Sequence, residues 1–322
     1  MTKALLDIRN LSVELARAAP LNVLDSISLQ LAPGEILGVV GESGAGKSVT
    51  GAAVMRLMTQ PLRQSAGEIW FDGTRIDTLP EATMRQLRGK EIAMIFQDPL
   101  TALNPVFTVG QQLIQTIRQH LPLDQRAARA RAAELLREVG IPSAEERLEN
   151  YPHEFSGGMR QRVVIALALA GEPRLIIADE PTTALDVSIQ AQIIALLVEL
   201  TRTRGMGVVL ITHDMGVIAE ACDRVAVLYA GRLAEVGPVR DVLTAPRHPY
   251  SRGLIAAIPR VGARLAMLPQ IPGTMPRIDA LPAGCAFAPR CPFVMERCKT
   301  HRPDATVRPG GVQVACWLEE GQ

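Results

Sequence analysis

Apolar positions along the chain follow two rhythms, and the places where one gives way to the other divide the sequence. Over the first forty residues short apolar runs alternate with turns, and Glu35 to Val40 (EILGVV) is a compact apolar run that stops at Gly41, as a buried strand does. A helix is expected from Lys47 to about Met58. Between Leu79 and Gly140 the spacing turns helical and rich in Arg, Ala and Glu, most clearly over Arg126 to Val139, which predicts a helical subdomain inserted into the core at about residues 97–173. Strand runs then return at Arg174 to Asp179 (RLIIAD), Gly207 to Thr212 (GVVLIT) and Arg224 to Tyr229 (RVAVLY). Helical stretches separate them, which is the βαβ rhythm of a parallel sheet and makes the fold α/β. Pro and Cys rise steeply from Pro246 onward, so a domain over 1–240 is expected to be followed by an extension over 241–322. No internal repeat is visible.

Composition narrows the partners. With 322 residues, 48% of them hydrophobic, the chain can bury one large core or two modest ones. A net charge of +1 provides no long-range field to recruit nucleic acid or anionic lipid, so partners have to be recognised by shape. Residues 1–10 have no apolar core with a cleavage site, and the longest apolar run, Val163 to Ala170, is too short to span a bilayer, so a cytosolic location is expected. The basic residues are nearly all Arg. Lys3, Lys47, Lys90 and Lys299 are the lysines, and Lys47 lies inside a glycine-rich loop.

That loop, Gly41-Glu42-Ser43-Gly44-Ala45-Gly46-Lys47-Ser48, fits G-x-x-x-x-G-K-[ST] between an expected strand and an expected helix. Its glycines let successive N–H groups turn inward around phosphate oxygens, and the helix N-terminus adds positive potential. Lys47 then reaches the β and γ phosphates and Ser48 ligates magnesium, so a nucleotide with Mg2+ is the expected ligand and Gly41 to Val49 the stretch that binds it, in a loop that kinases, GTPases, helicases and transport ATPases all carry. The run RLIIADE ends in two acids at the C-terminal end of a buried strand, where open α/β sheets place ligands. There Asp179 can hold magnesium through water and Glu180 can polarise the attacking water.

Just before this strand, Phe155-Ser156-Gly157-Gly158-Met159-Arg160-Gln161-Arg162 resembles the signature sequence of the ABC ATPases. Ser156 reads as an N-cap followed by two glycines, a second anion site at a helix N-terminus. The neighbours match that family in order: Gln97 in Ile95-Phe96-Gln97-Asp98-Pro99, the signature, Asp179 and Glu180, Ala184-Leu185-Asp186, and His213 in Ile211-Thr212-His213-Asp214. The resemblance implies a P-loop ABC ATPase core with an antiparallel β subdomain, the inserted helical subdomain and the Cys-rich C-terminal extension. It implies that Ser156, Gly157, Gly158 and Met159 close over the γ phosphate held by a partner subunit. By the same resemblance Gln97 links magnesium and the attacking water to the membrane-subunit contact, Asp186 communicates across the dimer, and His213 contacts the γ phosphate. Glu180, His213 and Gln97 are then the catalytic set, and Ser48, Gln97 and Asp179 the magnesium set. His120, His153 and His301 are read as structural.

Further stretches narrow the resemblance to the dipeptide and oligopeptide importer branch: Met94 to Pro99, Leu103-Asn104-Pro105, Tyr151 to Met159 and Ala178 to Asp186, with His248-Pro249-Tyr250 and Leu254 resembling the start of that branch's extension. The implied function is ATP hydrolysis that powers import of dipeptides or oligopeptides, with nickel or another small solute as the alternative cargo. The implied location is peripheral, at the cytoplasmic face of the cell membrane. The implied partners are a second related ATPase in a heterodimer, two transmembrane permease subunits and an extracytoplasmic solute-binding protein. Met159, where Gln is commoner, resembles the first ATPase of the pair. No nucleic-acid partner is expected, because ABC ATPases of DNA repair or translation carry long coiled coils or a tandem second ATPase, and the tail has few aromatic or basic residues around its thiols.

Four of the five cysteines crowd into Cys285-x5-Cys291-x6-Cys298-x17-Cys316. In a reducing compartment such a set points to metal rather than disulfides, and four thiolates suit zinc or iron–sulfur. The tight C-x(2–4)-C knuckles of structural zinc sites are absent, and similarity to the branch's extension favours a [4Fe-4S] cluster, with zinc the alternative. Cys222 is read as packing. One departure from the family is the lack of any Phe, Tyr or Trp in residues 1–69, where an aromatic ring usually stacks on adenine. Leu15 or Leu21 is left to take that place. Stacking on a base contributes about 1–3 kcal/mol, so comparable affinities for ATP and GTP are expected in a competition titration, and strong adenine selectivity would contradict this.

Overall fold

The computed structural model describes residues 3–17, 19–183, 185–258 and 269–319. Ala184, within the Ala184-Leu185-Asp186 motif, lies outside them. The chain divides into two compact units, Met1–Leu31 with Leu37–Asp77 and Thr212–Gln322, and Ala32–Ile36 with Thr78–Ile211.

In the first unit Leu6–Leu15 and Leu62–Phe71 are the inner strands of an antiparallel sheet, with Leu21–Leu31 at one edge and Thr74–Arg75 at the other. The second half of Leu21–Leu31 shows the period of a half-buried strand, with Ile27, Leu29 and Leu31 buried and Ser28 and Gln30 exposed. A second set of strands forms around Arg224–Tyr229, which pairs in parallel with residues 37–40 and antiparallel with Arg232–Pro238. The hairpin turn is Ala230-Gly231, with φ of +48° and +77°, the left-handed pair that suits the twist of a two-residue connection. Gly231 is required there because a Cβ would lie 2.2 Å from the Val23 carbonyl oxygen.

Residues beyond 240 continue this packing. Gln313–Val314 adds to Arg232–Pro238, and Thr306–Val307 adds to it in turn. Phe287 enters an apolar cluster with Val40, Val227, Met215 and Tyr250, and its ring lies 5.2 Å from Tyr229 and 5.5 Å from Tyr250. Tyr229 and Tyr250 meet edge to face at 4.6 Å. Such pairs contribute about 0.5–1.5 kcal/mol each beyond the area they bury. Cys222 packs under Gly38, and burial, followed by the neighbouring Asp223, pushes its thiol up to about 12.

In the second unit Ile92–Ile95, Leu175–Asp179 and Gly207–Ile211 form a parallel sheet in that order. The last two are buried at all five positions, as continuous apolar runs covered on both faces should be. Helices cover Val109–His120, Gln125–Glu138, Gly157–Leu169 and Val187–Arg204. Each starts at a residue whose side chain accepts from the first turn: Thr108, Asp124, Ser156 and Asp186.

The expected strands all form. The helix expected to reach about Met58 stops at Met55, because Arg56 turns left-handed, φ +51°, and the N–H of Leu57 closes on the Ala52 carbonyl. Among the described residues no helix is long and apolar enough to cross a membrane.

Candidate active site

The sequence-predicted site residues are shared between the two units. In the first, residues 37–40 run into a turn that only glycine can make. Gly41, Gly44 and Gly46 have φ of +155°, +83° and +99°, and a Cβ would lie 2.3 Å from the Leu228 carbonyl oxygen at Gly41 and 2.4 Å from Leu24 Cδ2 at Gly46. Ser43, Gly44 and Ser48 are exposed, while Gly41, Ala45, Gly46 and Lys47 are buried. Lys47 Nζ donates to the carbonyl oxygens of Gly41 at 2.8 Å and Glu42 at 3.2 Å, which spans the mouth of the loop. The helix Lys47–Met55 begins here with no side-chain cap and no acid in its first turn, so its positive end stays available to an anion. Val49 is its third residue.

His213 follows Gly207–Ile211 and is exposed. Its neighbours fix its backbone: the N–H of Asp214 donates to Thr212 Oγ1 at 3.0 Å, and Asp214 caps Met215–Ala221 through the N–H groups of Gly216 and Val217. Leu21 lines a cavity of about 720 Å³ with Pro20, Tyr229 and Ile278.

In the second unit the strand Leu175–Asp179 ends at two carboxylates of different surroundings. Asp179 is 8% exposed. Glu180 takes the left-handed conformation, φ +46°, and its N–H donates to the Ile211 carbonyl at 2.9 Å. Gln97 Nε2 at 3.0 Å and Thr183 Oγ1 at 2.9 Å both donate to Glu180 Oε2. The structure therefore brings Gln97 and Glu180 together, a contact that the sequence reading did not anticipate.

Ser156 caps the signature helix, its Oγ accepting from the N–H of Met159 at 3.4 Å, and Ser156 and Gly157 are exposed. Gly158 is a point of close approach, since a Cβ there would lie 2.6 Å from Ile189 Cγ2. Asp186 caps the helix that carries Ile189, accepting from the Ile189 N–H at 3.0 Å and from Ser188 Oγ at 2.7 Å. These bonds, the Ser188 hydroxyl first, hold its carboxyl below the usual range. Its position is that of a structural cap beside the signature, a local role that the dimer reading passed over.

The four tail thiols line one small cavity of about 10 Å³, together with His248, Phe287 and Trp317. Burial pushes Cys285 and Cys291 up, and Cys316 up to about 11. Among the described residues no group of three or more His, Cys, Asp or Glu is arranged to hold a metal ion.

A glycine turn of this shape, feeding a helix that no side chain caps, is suited to gripping the phosphates of a nucleotide, and it puts the chain among the P-loop ATPases. Comparison with known proteins agrees. Residues 24–183 match the ABC transporter family, and residues 234–298 match the family described as oligopeptide/dipeptide transporter, C-terminal region. The chain is 46% identical to the dipeptide transport ATP-binding protein DppD of Escherichia coli, over 97% of this chain and 96% of that one. It is 46% identical to DppD of Bacillus subtilis, over 98% and 95%. Among solved structures it is similar to the dimeric post-hydrolysis state of the ATP-binding cassette MJ0796 bound to ADP and Pi, with a TM-score of 0.66 and 27% identity over 73% of this chain and 99% of that one. The chain belongs to the ABC transporter ATP-binding proteins, ATP-hydrolysing cassettes, in the branch that carries the oligopeptide/dipeptide C-terminal region.

Replacing Glu180 by Gln is expected to leave ATP binding intact and to lower turnover by about two to four orders of magnitude, the range for a lost general base. Lys47→Ala is expected to weaken binding itself. Titration of a fluorescent ATP analogue beside a phosphate-release assay separates the two effects, and near-normal turnover in Glu180→Gln would remove Glu180 from that role.

Proposed function

We propose that the chain powers import of dipeptides or oligopeptides as one ATPase of a heterodimer, peripheral at the cytoplasmic face of the cell membrane. Two transmembrane permease subunits and an extracytoplasmic solute-binding protein complete the assembly. One observation carries the cargo assignment: the region described as oligopeptide/dipeptide transporter, C-terminal, follows the cassette in this chain, which aligns over almost its whole length with relatives named for dipeptide transport.

In this reading the inserted helical subdomain, about 97–173, passes motion from Gln97 to a permease. Lys47 and the amides of Gly41 to Val49 would hold the phosphates, and Ser48, Gln97 and Asp179 would hold magnesium, which would supply charge neutralisation for the bound nucleotide. Glu180 polarises the attacking water, with Gln97 and Thr183 holding its carboxylate in place, and His213 faces the γ phosphate. Ser156, Gly157, Gly158 and Met159 serve the nucleotide of the partner ATPase, and Asp186 communicates across the dimer. ATP binding closes the pair and phosphate release reopens it. Coexpression with candidate permease and binding-protein subunits, reconstitution into liposomes and uptake of a labelled dipeptide tests the assignment. ATP-dependent uptake of dipeptide is expected, and uptake of nickel in its place would reassign the cargo.

The Cys-rich extension is proposed to take a [4Fe-4S] cluster, with zinc the alternative. Four cysteines, the donor chemistry either would need, line one cavity, but their present arrangement is not that of a metal site. The cavity volume, about 10 Å³, is that of one water, so a cluster enters only as the thiols move outward and ionise. Iron and acid-labile sulfide in equal amounts are expected in protein purified without oxygen, and stoichiometric zinc without sulfide would overturn the cluster.

A further inference from the structure

The extension reaches the phosphate loop through one residue of that loop. Glu42 follows the first glycine, and its side chain is 28% exposed. Arg290, 6% exposed, grips its carboxylate with both arms: Nη1 donates to Oε2 at 2.8 Å and Nη2 to Oε1 at 3.0 Å. The Arg290 fork is itself fixed, because Nε donates to the Pro272 carbonyl at 2.8 Å and the guanidinium carbon lies 5.8 Å from the centre of the Tyr229 ring. The backbone N–H of Glu42 donates to the Tyr250 hydroxyl at 2.9 Å, and its carbonyl accepts from Lys47 Nζ at 3.2 Å. All three polar handles of Glu42 are thus held, two of them by residues beyond 240. Met275 also approaches the loop, its methyl lying 2.9 Å from where a Cβ on Gly44 would be.

Two physical consequences follow. A bidentate fork fixes the direction of the carboxylate as well as its distance, and so the turn of the backbone that carries it. It also neutralises a negative charge at the rim of a site that has to accept a polyphosphate. Without Arg290 the Glu42 carboxylate would be a half-buried anion beside the nucleotide, and it would repel it.

We propose that Arg290 is a positioning residue for ATP hydrolysis, acting through Glu42 on the charge and shape of the phosphate loop, and that the C-terminal extension sets nucleotide affinity by this contact. Because Cys291 follows Arg290 and lines the thiol cavity, a change in that cavity is one peptide bond from the residue that grips Glu42. The inference rests on the ATP site alone and requires no metal.

The test is titration of the full chain with a fluorescent ATP analogue and Mg2+, with KM and kcat then measured in the assembled transporter. Arg290→Ala is expected to weaken binding and raise KM about ten-fold, within the range for coupled neighbours, with kcat at saturating ATP within about two-fold of the parent. Adding Glu42→Gln is expected to restore most of the affinity, since the unpaired charge is then gone. Arg290→Lys is expected to lose affinity less, because an ammonium neutralises Glu42 without fixing it. Far-ultraviolet circular dichroism establishes that each variant is folded, and if Arg290→Ala is not, Arg290→Lys carries the test. Parental affinity in the folded Arg290 variant overturns the proposal. So does a loss that Glu42→Gln fails to relieve, because the effect would not then pass through Glu42. Lys47→Ala is the reference for loss of the ATP site itself, and binding insensitive to Lys47 would count against that site and not against Arg290.

Discussion

Backbone N–H groups turned toward one point repel one another, and a phosphate loop has to hold several of them that way before a phosphate arrives to reward it. The conformation is open to Gly41, Gly44 and Gly46 because they lack a Cβ, but glycine only permits the shape and does not enforce it. Enforcement comes from outside the loop. The N–H of Gly231 donates to the Ala45 carbonyl at 3.0 Å, Leu228 closes over Gly41, Tyr250 receives the Glu42 N–H, and Arg290 takes its carboxylate. Each of these residues lies on the strand Arg224–Tyr229, on its hairpin, or in the chain beyond it. The strand that pairs in parallel with residues 37–40 therefore sets both the direction in which the loop leaves the sheet and the groups that hold it there.

A comparable economy governs the acidic strand. Glu180 sits in a conformation that costs a non-glycine residue about 1–2 kcal/mol, and such a conformation persists only where the surroundings determine it. The Ile211 carbonyl fixes its N–H, and Gln97 and Thr183 converge on Oε2. The left-handed turn and the two donors hold the Glu180 carboxylate in one direction without burying it. Gln97 belongs to the segment just after Ile92–Ile95, the strand beside Leu175–Asp179, so the sheet register sets this contact as well.

Most of this was legible where the physics is local. Apolar runs at Glu35 to Val40, Arg174 to Asp179 and Gly207 to Thr212 announce buried strands, since a segment covered on both faces has no polar side to show. The phosphate loop and the Ser156 cap are legible because the backbone chemistry they serve lies within a few residues. Arg290 and Glu42 are 248 positions apart in a chain with 34 basic and 33 acidic residues, so no pattern singles out that pairing. The same holds for Gln97 and Glu180: each was noticed for its own motif, and only the fold makes them partners. Asp186 was read for an exchange between subunits, and its bonds to Ser188 and Ile189 show that the motif also answers the ordinary need of a helix for a cap.

The region beyond 240 was set apart on composition, yet its anchoring is that of a core. Aromatic residues make up 3% of the chain, and Tyr229, Tyr250 and Phe287 meet in one cluster drawn from the sheet, the helix Pro249–Ala256 and the Cys-rich segment. Glu235, fully buried in the strand that pairs with Gln313–Val314, accepts from the backbone N–H groups of Arg247 at 2.9 Å and His248 at 3.0 Å. Burial still raises its carboxyl, and it lowers the His248 ring to about 4, so these neighbours lie in a site that disfavours charge. Were this packing lost, the Glu235 carboxylate would lose its donors and the rings their partners together. The extension is thus tied to the ATPase by contacts whose loss would also reach Tyr250 and Arg290, the two residues that hold Glu42. A motif search treats the cassette and its tail as successive modules, but the hydrogen bonds around Glu42 make the second a wall of the first.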